Sequence, residues 1–224
     1  MNELVSEIST FTHLIMGISL FAFAFFEVFA ALKPGNKIPA IGSLVLFACG
    51  ISGIAFMFDK SGGNADSLLD LMSSNSIFML FFGLNMLVST SGLIGIMQFL
   101  SKNMPFFWKF FQTMLFFCVA AAFYVYPQFY PSQEPSLSMQ IHHVLCYAIA
   151  AGAAISLINA LIKNRALAFT AVFFFFISGT LLVQFKEDPL SFNVRHDFVS
   201  VPSDRQQNTE TLENSEKTAE NAQK

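Results

Sequence analysis

The segment FTHLIMGISLFAFAFFEVFAAL, which runs from Phe11 to Leu32, decides the fold class of this chain. A helix needs about 20 mostly apolar residues to cross the ~30 Å hydrocarbon core of a bilayer. This segment has that length and carries a single carboxylate, Glu27. Because backbone polar groups inside lipid must satisfy one another, the segment is expected to be helical. It therefore predicts a transmembrane helix.

Five further segments of the same kind follow the first. The chain is 54% hydrophobic and only 12% charged over its 224 residues, whereas a soluble domain usually carries about 25% charged residues. The sequence thus predicts an all-α, polytopic membrane helix bundle with six transmembrane helices over residues 1–186, embedded in a lipid bilayer. The five segments run from Ile38 to Phe58, Ser76 to Leu100, Pro105 to Tyr126, Met139 to Ile162 and Ala166 to Phe185.

The C-terminal segment, residues 187–224, has a different composition. It is polar and rich in Glu, Asn and Gln, without apolar periodicity, which predicts a disordered tail. Binding of a protein partner is one use for such a tail. The net charge of the whole chain is −3, and no basic stripe is available to neutralise phosphates. Nucleic acid is therefore excluded as an expected partner.

Lysine and arginine concentrate in alternate connectors, those after the first, third and fifth predicted helices. Cytoplasmic connectors of membrane proteins carry an excess of these residues. The pattern predicts that these three connectors are cytoplasmic and that both termini lie on the outer side, periplasmic or extracellular. A bacterial inner (plasma) membrane is the expected location. The residues that set the pattern are Lys33, Lys37, Lys102, Lys163 and Arg165.

Polar side chains within the predicted spans are functional candidates, because a polar group in hydrocarbon is costly unless it has a partner or a role. His13 lies near the start of the first helix, and His142 near the start of the fifth, so the two share one depth below the outer face. A projection at 100° per residue turns His142 toward the bundle and His143 sideways, with Cys146 one turn deeper.

Histidine and cysteine are ligands of haem iron and of transition metals. The placement of His13 and His142 predicts a b-type haem or a transition metal near the outer face, serving redox chemistry or metal handling. His143 and Cys146 are further candidate metal ligands. Three other interpretations stay open for the histidines: hydrogen bonds to neighbouring helices, proton handling, and contact with lipid headgroups. No nucleophile–base pair or nucleotide-binding motif occurs, so catalytic residues cannot be assigned.

Glu27 and Asn85 support a hypothesis from a different class, a small transporter or channel-like bundle with these two residues on an ion or proton path. The alternatives are structural: Glu27 would pair with Lys33 or Lys37 near the cytoplasmic surface, and Asn85 would make interhelical hydrogen bonds. A third hypothesis is a non-catalytic scaffold or assembly subunit.

Overall fold

Seven helices make up the part of the chain that the computed structural model describes, residues 2–33, 37–101, 104–126 and 137–185. Six of them are long and apolar enough to cross a membrane, which confirms the predicted all-α bundle of six transmembrane helices. The predicted tail, residues 187–224, lies outside the described residues. The helices are α1 (Asn2–Leu32), α2 (Pro39–Lys60), α3 (Ala65–Ser74), α4 (Ser76–Leu100), α5 (Pro105–Val125), α6 (Leu137–Ile162) and α7 (Arg165–Gln184).

The six long helices form a closed ring. Each packs against the next along the chain, α1 on α2, α2 on α4, α4 on α5, α5 on α6 and α6 on α7, and α7 returns to pack against α1. The short helix α3 lies against α4 and the end of α2. Because the ring closes, the inward faces of helices that are distant in sequence meet along a common axis.

Helix α1 begins earlier than predicted, at Asn2 instead of Phe11. Its first turns are more polar than the membrane span, so the hydropathy pattern alone did not assign them to the helix. Glu7 in this extension accepts a hydrogen bond from Lys60 Nζ at 2.5 Å, an ion pair that joins α1 to the end of α2.

Helices α1 and α7 approach each other closely through a pair of glycines. A Cβ placed on Gly17 would lie 2.9 Å from the carbonyl oxygen of Gly179, and a Cβ on Gly179 would lie 2.7 Å from the backbone nitrogen of Phe21. Small residues at such a crossing allow two membrane helices to pack backbone against backbone. The contact closes the ring.

The two ends of the ring differ in chemistry. We call the end that holds His13 and His142 the histidine end, and the end that holds Lys33, Lys163 and Arg165 the lysine end. Between them lies a layer of three rings from α1, α5 and α7, with centroids 4.9–5.5 Å apart. We call this the phenylalanine layer; it consists of Phe23, Phe116 and Phe175.

Candidate functional site

The two histidines that the sequence singled out meet inside the ring. His13 on α1 and His142 on α6 have ring centroids 5.6 Å apart at an interplanar angle of 75°. Both are buried, with 3% and 0% of their surface exposed. The predicted common depth and inward direction of His142 agree with this contact.

Aromatic rings from three other helices surround the pair. Tyr126 stacks on His142 with centroids 4.7 Å apart, and the other rings contact one or both histidines at 5.2–6.3 Å. These side chains close the ring at the histidine end, so we call the set the aromatic closure. Its members are His13, His142, Phe81, Phe123, Tyr126 and Phe185.

The closest contact of His13 Nδ1 favours a proton on this nitrogen over the other tautomer, in which Ser9 Oγ, 3.2 Å away, would donate to it. Nδ1 lies 2.8 Å from the backbone carbonyl oxygen of Ser9. A carbonyl can only accept, so His13 Nδ1–H donates, and in the neutral ring the lone pair lies on Nε2. Donation from one ring nitrogen to a carbonyl is also how metal-bound histidines are commonly oriented.

His143 and Cys146 do not join the pair. His143 is half-buried and stacks on Tyr124, with centroids 5.2 Å apart, and Cys146 is half-buried on the next turn of α6. Within the described residues, no three His, Cys, Asp or Glu side chains are gathered as a metal site would require. A porphyrin placed between His13 and His142 would displace rings of the aromatic closure. The haem or metal site therefore stays a prediction.

A cavity of about 550 Å³ opens inside the ring at the lysine end. Five of the six long helices line it, all except α2, and its inner limit is formed by Phe23 and Phe175 of the phenylalanine layer. Charged and amide side chains share the wall with small apolar ones. The polar lining residues are Glu27, Gln98, Lys109, Ser156, Asn159, Lys163, Asn164 and Arg165.

Glu27 faces this cavity and makes no ion pair with Lys33 or Lys37. Among the described side chains, the only ion pair within 4.0 Å joins Lys60 to Glu7. The pairing suggested by proximity in sequence does not form, because Glu27 turns toward the interior of the ring. Its carboxylate shares the cavity with Lys109, a residue that the sequence pattern did not identify as a site residue.

Lys109 is a buried cation, with 9% of its surface exposed. Its Nζ donates to Gln112 Oε1 at 3.3 Å and lies 5.8 Å from the centre of the Phe23 ring. Gln112 Nε2 in turn donates to the carbonyl oxygen of Ser91 at 3.3 Å. The signal in the sequence was a lysine one turn inside an apolar helix, where a charged residue is a functional candidate by default.

Asn85 lies elsewhere, buried at the junction of α1, α2 and α4. Its Nδ2 donates to the carbonyl oxygen of Phe81 at 2.9 Å and lies 3.4 Å from Thr12 Oγ1. Thr12 and Glu27 are about 22 Å apart along α1 at 1.5 Å per residue. Asn85 and Glu27 therefore do not belong to one site, and Asn85 has the interhelical contacts of a packing residue.

The fold and its apolar helices define the class of this chain as a polytopic integral membrane protein. Searches of protein-family models, curated proteins and solved structures give no match to the chain.

Proposed function

We propose that the chain is a small transporter whose substrate enters the lysine-end cavity. The observation that carries this proposal is the asymmetry of the ring interior. At the lysine end the axis widens into a cavity of about 550 Å³, and at the histidine end the same axis is filled by the aromatic closure. A transporter that exposes its site to one side at a time needs this combination of an open and a closed end.

The lysine end is the cytoplasmic end in this proposal. The connectors there contain Lys33, Lys163 and Arg165, and such residues are enriched on the cytoplasmic side of membrane proteins. Glu27 is the carboxylate inside the cavity, where it would take up a proton or a cation together with the substrate. The state described is then the inward-open one.

Single cysteines test this access directly. In a chain whose three native cysteines are replaced by alanine, we expect Ala160→Cys to react with a charged, membrane-impermeant thiol reagent added from the lysine end, because Ala160 lines the cavity. Ile158→Cys is the matched control on the same helix. Ile158 is 45% exposed on the bundle's outside, where lipid excludes a charged reagent. The measurement is the labelled fraction from each side of oriented vesicles.

A test of alternation between a state open at the lysine end and a state open at the histidine end requires a second labelling position. Met16 is buried one turn inside His13, so Met16→Cys should react from the histidine end in the fraction of molecules that open there. If Ala160→Cys reacts from the lysine end while Met16→Cys stays unreactive from the histidine end, the cavity is fixed. That result would favour the scaffold or assembly subunit and contradict the transporter.

The predicted metal or haem site at His13 and His142 is the second candidate. Its specific support is the hydrogen bond from His13 Nδ1 to Ser9, which leaves Nε2 as the lone-pair nitrogen in a ring adjacent to His142. Binding would require the aromatic closure to admit the group, which in the described state it does not.

A visible spectrum and elemental analysis of the purified protein test the second candidate. If the site binds haem or a metal, protein made in replete medium should carry about one equivalent, and His13→Ala should lose it. His143→Ala should retain it, because His143 stacks on Tyr124 away from the pair. A colourless and metal-free protein would exclude this candidate.

A further inference from the structure

The charges of the lysine-end cavity point to the chemistry of its ligand. We propose that the cavity binds an organic anion, a molecule with a phosphate or carboxylate group and an apolar body. This inference rests on the proposed function only in that both use the same cavity. It would hold for a soluble organic anion and equally for the headgroup region of an anionic lipid.

The first argument is the charge balance of the wall. Three cationic side chains, Lys109, Lys163 and Arg165, face the cavity together with one carboxylate, Glu27. Three positive charges and one negative charge leave an excess of two positive charges. A ligand with two negative charges would neutralise this excess and a ligand with one would halve it, whereas a cationic ligand would add to it.

The second argument is the burial of Lys109. A charged ammonium removed from water is costly unless a charge or strong hydrogen bonds compensate it. The contacts of Lys109 within the described residues are a neutral amide, Gln112 Oε1 at 3.3 Å, and the face of the Phe23 ring. Both are weaker partners than an anion at hydrogen-bond distance. Lys109 also borders the cavity, so a bound anion can reach it.

The third argument is that two helices begin at the cavity wall. Helix α7 starts at Arg165, and helix α5 starts at Pro105, and both residues line the cavity. The Ncap side chain of Asn164 accepts from Ala166 N at 2.8 Å, whereas Met104 provides no side-chain cap to α5. Helix N-termini attract anions through their backbone N–H groups and the helix dipole. They reinforce the positive side chains.

The apolar part of the cavity wall indicates that the ligand also has an apolar body. Phe23 and Phe175 limit the cavity on the inside, and Phe106, Ala171 and Val172 form much of its side. A volume of about 550 Å³ lies within the range of small-molecule sites, about 300–1,000 Å³. An inorganic phosphate ion would leave most of this apolar wall uncovered. A ligand with both an anionic group and a hydrocarbon portion covers both kinds of surface.

Calorimetric titration of the full chain in a neutral detergent tests the ligand class. The probe is hexyl phosphate, and the comparison compounds are inorganic phosphate and hexyltrimethylammonium. We expect hexyl phosphate to bind, inorganic phosphate to compete only weakly, and the ammonium compound not to bind. Lys109→Met should weaken hexyl phosphate binding on the order of tenfold, as expected for the loss of one charged hydrogen-bonding partner.

Two further variants protect the test against misfolding. The exposed pair Lys163→Asn and Arg165→Gln removes two cations without changing the buried wall, and asparagine tolerates the positive φ of 56° at position 163. This double variant should also weaken binding. Lys33→Met is the control, because Lys33 is exposed at the same end but does not line the cavity. It should bind hexyl phosphate as the unaltered chain does.

A lipid experiment distinguishes the two sources of the anion, a soluble molecule and a lipid headgroup. The unaltered chain and Lys109→Met are placed in nanodiscs of phosphatidylcholine with and without phosphatidylglycerol, and retained lipid is measured by native mass spectrometry. Retained phosphatidylglycerol that depends on Lys109 identifies a lipid headgroup as the ligand. Hexyl phosphate binding without such retention identifies a soluble anion.

The outcomes also separate this inference from the proposed function. If the ammonium compound binds as well as hexyl phosphate, or if neither probe nor lipid binding depends on Lys109, Lys163 or Arg165, the ligand class is wrong. That result would leave the transporter intact if Ala160→Cys and Met16→Cys react from opposite sides. If hexyl phosphate binding depends on these cations but Met16→Cys never reacts from the histidine end, the ligand class is supported and the transporter is contradicted.

Discussion

Gly92→Ala is expected to destabilise the bundle by about 3 kcal/mol, the upper end of the usual range for overpacking. Gly92 lies where α4 crosses α2, and a Cβ there would collide with the backbone nitrogen of Phe47 and lie 2.6 Å from the carbonyl oxygen of Ser43. Backbone atoms in a helix cannot rotate away as a side-chain end can. The added methyl group must therefore push α2 and α4 apart.

The matched control is Gly83→Ala, the same change on the same helix. A Cβ on Gly83 meets no atom within 4 Å, and alanine is favoured over glycine in a helix by up to about 1 kcal/mol. Thermal unfolding in detergent is monitored by size exclusion as the loss of monodisperse protein. The midpoint temperature should be lower than that of the unaltered chain for Gly92→Ala and not for Gly83→Ala. Equal midpoints for the two variants would contradict the close α2–α4 contact.

The fold could be predicted from the sequence because a bilayer imposes a length and a polarity on every helix that crosses it. The same rule explains the error at the start of α1, which begins at Asn2 and not at Phe11. Hydropathy marks the most apolar part of a helix, and Glu7 lies in the more polar turns N-terminal to that part. The partner of Glu7, Lys60, is 53 residues away in the chain, so no local pattern predicts their contact.

The histidine pair could be predicted in part. Depth follows from the position of His13 and His142 in their helices, and the inward direction of His142 follows from helical periodicity. The aromatic closure could not be predicted, because it depends on the lateral order of the helices. That order is set by contacts such as Gly17 against Gly179, and a single sequence does not state which small residues face each other.

The lysine-end cavity was missed for the same reason. The sequence left two roles open for Glu27, an ion or proton path and an ion pair with Lys33 or Lys37, which are its nearest cations along the chain. Ring closure instead brings Glu27 of α1 to one cavity with Lys109 of α5. The sequence pattern did not identify Lys109 as a site residue, although a lysine inside an apolar helix is a functional candidate by default.

A second large effect is expected from substitutions of His142 at the histidine end. The two proposals for this end, a closure that opens and a metal or haem site, depend on different parts of the His142 side chain. If His142 serves the aromatic closure, its ring matters, since it fills space beside Tyr126 and His13. If His142 binds a metal or haem, its nitrogens matter. Phenylalanine retains a ring of similar shape and removes both nitrogens, whereas alanine removes the ring as well.

His142→Ala in the Met16→Cys background is therefore expected to raise labelling from the histidine end from a minor fraction to near completion, because it opens a gap in the aromatic closure. His142→Phe should keep labelling low, and His143→Ala should leave it unchanged, since His143 stacks on Tyr124 outside the closure.

Metal or haem content, measured on the same three proteins, should be unaffected if His142 acts only through its ring. Loss of a bound metal in both His142→Ala and His142→Phe, with labelling equally low in both, would assign the pair to metal binding. Truncation of a buried Phe or Trp to Ala costs about 3–5 kcal/mol, and His142 is fully buried, so the unfolding midpoint of each variant must be measured together with its labelling. A gap that opens the histidine end in a still-folded His142→Ala protein distinguishes a gate from a packing residue.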